Sequence, residues 1–288
     1  MCSRIAQAAF PKMCDNDPAA QRLRAPRGRA HGLRPLLKWA GGKRWQLPHL
    51  QPLWEPHRER RLVEPFCGGL AVALSLGPSR ALLNDVNPHL VNLYRWVRRG
   101  LRIGIEMANE SATYYTNRAR FNALLKAGRA GTAEAAALFY YLNRTGYNGL
   151  CRFNRQGEFN VPFGRYSRIE YRTDFRDCMA AFSRFEFMTA DFEAVPLHRD
   201  DFVYADPPYD VQFQHYSKGG FGWDAQVRAA SWLADHPGPV VLSNQATPRI
   251  RTLYRRLGYR LTMVTAPRLI SCTGDRTPAV EVIATRNL

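Results

Sequence analysis

From Pro35 onward, short apolar runs alternate with stretches of helical periodicity. "RLVEPF" is a run without polar alternation that ends in Glu64, and "ALLND" repeats the form and ends in Asp85. Runs of this kind suit strands covered on both faces. Asn87-Pro88 then caps and starts a helix in which Leu90, Leu93, Tyr94 and Val97 fall on one face. "FEFMTADF", "DFVYADPPY" and "GPVVLSNQ" predict three more buried strands. Thr247-Pro248 opens a further helix, with Ile250, Leu253, Tyr254 and Leu257 on one face and Gly258 as its stop. "YRLTMVTA" and "AVEVIAT" close the chain as two strands. This alternation predicts an α/β fold, a doubly wound and mostly parallel sheet with helices on both faces.

The rhythm breaks between about 95 and 185. A helical piece, "TAEAAALFYYLN", precedes the loop-rich "RTGYNGLCRFNRQGEFNVPFGRYSR". We read residues 95–185 as an insertion into a catalytic domain formed by 35–94 and 186–288. Residues 1–34 carry seven Lys and Arg against two Asp, with little apolar periodicity, and read as a disordered basic tail.

Charge adds a partner class. The chain of 288 residues carries a net +17, and residues 92–185 hold sixteen Lys and Arg against seven Asp and Glu. A basic insertion favours nucleic acid, although a basic surface without a specific partner has the same composition. Six scattered cysteines form no C-x-x-C pair and the histidines no H-E-x-x-H, so neither a metal site nor a disulfide framework is expected. A reducing, cytoplasmic setting fits. No apolar run is long enough to span a bilayer, and no membrane partner is expected.

Candidate chemistry lies at the strand ends, where open α/β sheets bind ligands. "VEPFCGGL" places two glycines just after a strand, for close backbone approach to a ligand or simply for a tight turn. Asp85 is placed to bind ribose hydroxyls or to cap the next helix. Asp191 is placed to accept from an adenine amino group while Phe192 stacks on the ring, although an ordinary turn residue fits as well. The fourth end is Asp206-Pro207-Pro208-Tyr209. There a carboxylate and a ring-fixed carbonyl can hold both hydrogens of a planar amino group, with an aromatic face beside them.

Together, "LKWAGGKRWQL", "EPFCGG", "NRTGYNGLCRFNRQGEFNVPFGRY" and "DPPY" resemble the Dam-type DNA adenine-N6 methyltransferases, from about Leu36 to Ala284. The resemblance implies a fold of the S-adenosylmethionine-dependent methyltransferase type, with that cofactor. Trp39, Ala40, Gly41, Gly42 and Lys43 would shape its methionine end. Phe66, Gly68 and Gly69 match the glycine loop, Asp85 the ribose acid, and Asp191 with Phe192 the adenine side. Asp206, Pro207, Pro208 and Tyr209 match the catalytic tetrapeptide, and Asp206 also borders the cofactor.

The insertion matches a target-recognition region for double-stranded DNA. Arg152 is suited to read a guanine edge and Leu150 to pack on a thymine methyl. Tyr147 and Asn148 would brace the space left by a flipped base. Lys38, Pro162 and Tyr166 match further DNA contacts. The pattern suggests a GATC target, a monomer, and a cognate restriction endonuclease as partner. "DVQFQHYSKGGFGW" reads as a lid or as an idle loop, and "RLISCTGDRTPAVEV" departs from the more basic pattern of the family. Methylation of cytosine N4, RNA or a protein glutamine remains open, as does a DNA-binding relative without catalysis.

Overall fold

The apolar runs become the centre of one sheet because helices cover them on both sides. The computed structural model describes residues 33–210, 221–266 and 279–288. Nearly all of the expected basic tail, the Gly219-Gly220 part of the expected lid and most of "RLISCTGDRTPAVEV" lie outside the described residues. The predicted strands all form: β1 (Leu62–Glu64), β2 (Ala81–Asn84), β3 (Phe185–Met188), β4 (Phe202–Ala205), β5 (Val240–Gln245), β6 (Arg260–Ala266) and β7 (Ala279–Arg286). Their order is β3-β2-β1-β4-β5-β7-β6. β7 runs antiparallel to both of its neighbours, and the other pairs are parallel.

β1, β2 and β4 are buried throughout. β3 corrects the expectation of a fully buried strand: it is an edge strand, and Glu186 is exposed between buried Phe185 and Phe187. The carbonyls of Arg184 and Met188 accept from Ala81 and Asp85 next to them. Those of Phe185 and Phe187 accept instead from Arg98 and Arg95, at 3.0 and 2.9 Å. Two arginines thereby blunt an edge that would otherwise invite another strand.

Both arginines belong to α3 (Pro88–Arg98), whose side chain cap is Asn87, as predicted. Its apolar face is fully used, with Leu90, Leu93, Tyr94 and Val97 at most 1% exposed. The helices α1 (Leu47–Trp54) and α2 (Ala71–Leu76) precede it; α7 (Trp223–Ala234) and α8 (Pro248–Arg256) cover the β4–β5 side. Thr247 caps α8 through the Ile250 N–H, and Gly258 follows it with φ +81°.

Residues between α3 and β3 contain α4 (Ser111–Lys126), α5 (Ala133–Thr145) and α6 (Arg176–Phe182). α5 is buried along most of its length. Leu138 and Tyr141 share one apolar cluster with Leu90, Tyr94 and Leu83, so this region packs directly onto the helical layer over the sheet. Much of its charge is used internally. Arg118 donates to the Val161 carbonyl, Arg172 to that of Asp174, and Arg120 pairs with Glu134. Net charge therefore overstates the number of cations facing a polyanion.

The chain leaves β1 toward β2 and β3 on one side, then returns to β4 on the other. This switch point lies where open sheets of this topology bind ligands, beyond the C-terminal strand ends.

Candidate active site

Short polar contacts join the ends of β1, β2 and β3. Asp85, after β2, accepts the Gly68 N–H at 3.0 Å and the Asn87 N–H at 2.9 Å. It thus fixes the glycine loop and the start of α3 together. Tyr94 donates to the Gly68 carbonyl at 2.7 Å. Gly68 has φ +44°, and a Cβ on it would lie 2.9 Å from Trp39 Nε1; one on Gly69 would meet Trp39 Cβ at the same distance. The two glycines are required by the indole packed against them. Asn84, 1% exposed, donates to the carbonyls of Pro65 and Ala190 and accepts from the Ala190 N–H. It ties the ends of β1, β2 and β3.

Ala40, Gly41 and Gly42 are exposed, and Gly41 has φ +79°. Lys43, by contrast, turns inward. It is 5% exposed, donates to the Gly41 carbonyl at 2.7 Å and pairs with Asp206 Oδ2 at 3.1 Å. Its ammonium also lies 4.4 Å from the centre of the Tyr209 ring. Residues 39–43 and the tetrapeptide are therefore joined in one polar cluster.

Asp206 Oδ1 has no hydrogen-bond partner among the described residues, although it is buried. Burial pushes the Asp206 carboxyl up to about 6, against the pull of Lys43. Glu64, at the end of β1, has a second buried oxygen without a described partner, and burial holds its carboxyl well above the usual carboxylate range. Pro207 is buried and Pro208 exposed. The Pro208 carbonyl accepts from Gln226 of α7 at 2.7 Å, and Gln226 in turn accepts from Asn244 of β5 at 2.9 Å. Asp210 accepts from Thr247 and Arg249 at the start of α8. The turn is rigid because both of its flanks are anchored to the sheet and its helices.

After β3, Asp191 caps its own short turn through the Glu193 N–H and lies 3.3 Å from Arg228. Phe192 differs from the expectation of an open stacking ring. It is 4% exposed and packed among Phe66, Phe221 and Trp232, with the Arg228 guanidinium over it. The open apolar side chain here is Val86, 75% exposed and directly after Asp85. Sequence reading missed Val86; an apolar residue directly following a strand-end acid was its only signal. It also missed Gln46 and Glu281, whose burial depends on pairings distant in the chain, and it took Glu64 only as the acid ending the first strand.

The recognition-loop residues gather on one surface. Tyr147 is 50% and Leu150 38% exposed, and Asn148 and Arg152 are exposed between and beside them. Asn148 has φ 52°, a left-handed conformation asparagine tolerates. Arg152 Nε donates to Asn160 Oδ1 at 2.8 Å and Nη2 to the Asn160 carbonyl at 3.2 Å. Three of its five N–H groups remain, in a fixed direction. Pro162 is exposed, and its carbonyl accepts the Tyr147 N–H. Lys38 lies 3.3 Å above the Tyr166 ring and donates to the Arg144 carbonyl; burial and nearby Arg144 lower its ammonium to about 8. Asn143, 1% exposed, accepts the Lys38 N–H and donates to the carbonyls of Lys38 and Gly149. One amide thereby joins Lys38, beside the 39–43 segment, to the loop around Tyr147 and Gly149.

The chain is 35% identical over 263 residues to the retron Ec67 DNA adenine methylase of Escherichia coli, covering 86% of this chain and 90% of that protein. It is 34% identical over 274 residues to a DNA adenine methylase of Haemophilus influenzae, covering 87% and 93%. It is 35% identical over 257 residues to a DNA N-6-adenine-methyltransferase of Escherichia phage P1, covering 84% of this chain and 34% of that protein. The chain thus spans about a third of the phage protein's length. The family model for D12 class N6 adenine-specific DNA methyltransferases matches residues 39–268, and the chain belongs to that family.

Proposed function

We propose that the protein transfers a methyl group from S-adenosylmethionine to N6 of adenine in duplex DNA, with GATC as its target and the adenine flipped out of the stack. The observation that carries this reading is Asp206 Oδ1: a buried acceptor without a described partner, on a turn anchored from both flanks.

The residues fit the cofactor. Glu64 offers a buried carboxylate oxygen without a described partner, suited to an ammonium. Gly68 and Gly69 leave the loop edge free of side chains beside Asp85, whose carboxylate has acceptor capacity left for ribose hydroxyls. Val86 offers an uncovered apolar face suited to the adenine ring. When bound, S-adenosylmethionine would supply an electrophilic methyl group on a sulfonium sulfur, the sulfur being able to keep the carbon–sulfur electron pair.

The chain's residues prepare the nitrogen. Asp206 accepts one amino hydrogen and the Pro207 carbonyl the other, so the nitrogen lone pair is drawn out of the base ring. Tyr209 supplies the face on which the base stacks. Asp206 in its carboxylate form then receives the proton that the methylated nitrogen sheds. Positioning and exclusion of water carry most of the acceleration, since no covalent bond to the protein forms.

Labelled methyl transfer to unmethylated duplex DNA, followed by mapping of the modified base, tests the reading. Label on adenine N6 at GATC is expected. Label confined to cytosine, RNA or protein would overturn it.

The recognition loop makes a separate prediction. Because Asn160 aims the Arg152 guanidinium, Arg152→Ala should relax discrimination at one base pair by about 1–3 kcal/mol. Methylation rates on duplexes altered one pair at a time give the measurement. An equal loss on every sequence would make Arg152 a phosphate contact.

A further inference from the structure

The Tyr209 hydroxyl is not free. It donates to Glu281 Oε2 at 2.5 Å. Glu281 sits on β7, far along the chain from the tetrapeptide, and is 8% exposed. The same oxygen accepts from Gln46 Nε2 at 2.7 Å, and Gln46 Oε1 accepts from Ser243 at 3.0 Å and Tyr204 at 3.3 Å. Gln46 is itself fully buried. Four elements, the turn before α1, β4, β5 and β7, therefore join in one hydrogen-bonded network that ends at this tyrosine hydroxyl.

We infer that Glu281 is a positioning residue for methyl transfer: it pins the Tyr209 hydroxyl, and through it the plane on which the target base stacks. This rests on the reading of Tyr209 as the stacking face. A buried carboxylate that accepts two hydrogen bonds has no freedom to rotate without leaving both donors unpaired. An aromatic ring held at its hydroxyl keeps its tilt, and tilt sets the direction of the amino group stacked on it. β7 is thereby a part of the site as well as of the sheet.

Glu281 also contributes charge. The charged and titratable groups facing Asp206 are Lys43 before α1, Glu64 of β1, Tyr204 of β4, Tyr209 of the turn, Tyr254 of α8 and Glu281 of β7. Burial raises the Asp206 carboxyl most, Lys43 lowers it, and Glu281 raises it by like-charge repulsion. Asp206 acts as carboxylate, so the acid limb of kcat/KM should fall as pH drops through about 6. Removing the Glu281 charge lowers the Asp206 value and moves that limb to lower pH.

The test compares Glu281→Ala, Glu281→Gln and Tyr209→Phe, alone and combined, in methyl transfer to whichever acceptor the parent protein labels. Glu281→Ala should lower kcat about 10–100-fold with little change in KM for DNA, the scale of a small misplacement at a reacting centre. Glu281→Gln keeps an acceptor for both donors, so it should lose several-fold less and shift the acid limb downward. In the Tyr209→Phe background, Glu281→Ala should cost little more. Equal costs of Glu281→Ala in both backgrounds, or an unmoved acid limb in Glu281→Gln, would overturn the role. An ultraviolet difference spectrum of each protein against its Tyr209→Phe counterpart reports the hydroxyl contact without turnover. The red shift of a tyrosine donating to a carboxylate should be present in the parent and lost in Glu281→Ala. Its absence from the parent would also overturn the inference, separately from any failure to methylate DNA.

Discussion

Replacing Asp206 with alanine is expected to lower kcat for methyl transfer by about 10²–10³-fold, the range for removing one preorganised partner from a reacting centre. Duplex affinity should stay within a few-fold of the parent's. The two expectations separate because different parts of the chain serve them. In the proposed reading DNA is met by the exposed set around Tyr147, Leu150 and Arg152, whereas Asp206 lies at the end of β4 with one buried oxygen that has no partner among the described residues. Alanine removes the one carboxylate of the tetrapeptide, the proposed acceptor for the target amino group. It leaves Pro207, Tyr209 and the Gln226 and Glu281 anchors in place. Single-turnover rates at saturating DNA and cofactor give the first quantity, and a binding isotherm on the same duplex the second. A melting curve run alongside separates lost chemistry from lost fold. Turnover near that of the parent would end the proposed role.

Asp206 was legible in the sequence because its signal is local. An acid, two prolines and an aromatic residue after an apolar run make sense only at a strand end. The glycine loop, Asp85, and the caps at Asn87 and Thr247 were legible for the same reason: each is a short pattern whose physics is complete within a few residues. Residues paired across long separations were not. Glu281 and Gln46 meet Tyr209 and Tyr204 only once β7 has inserted beside β5. Asn143 reads as one more polar position near a helix end, yet it joins Lys38 to Gly149. Phe192 misled because periodicity records that a ring is present but not which faces are already covered. The charge count misled in a similar way, since Arg95 and Arg98 are spent on a sheet edge.

The second acid of β4 should show the opposite behaviour. Asp201→Ala is expected to cost about 3–5 kcal/mol of stability, the cost of leaving one partner of a buried pair uncompensated. Asp201 stands just before β4 and is 1% exposed; its partner Arg61 stands just before β1 and is 9% exposed. The contact is bidentate, Nε to Oδ1 at 2.9 Å and Nη2 to Oδ2 at 2.6 Å. Asp201 Oδ2 also accepts the His198 N–H at 2.7 Å, and Arg61 Nη2 donates to the Pro196 carbonyl at 3.0 Å. Alanine would leave the guanidinium of Arg61, 9% exposed, with only the Pro196 carbonyl as a partner among the described residues. The melting temperature should fall by about 6–20 °C, read by circular dichroism, and Asp201→Asn should recover part of the loss by keeping an oxygen for Arg61. Below the new transition, kcat should match the parent's, since this pair lies at the N-terminal end of the strand and the reacting groups at the other. A loss under about 1 kcal/mol would place Arg61–Asp201 among exposed pairs of little consequence. With the expected loss, one strand carries a division of labour in two aspartates: the acid before it has both oxygens paired and holds the sheet, and the acid after it keeps one oxygen without a partner among the described residues and open to chemistry.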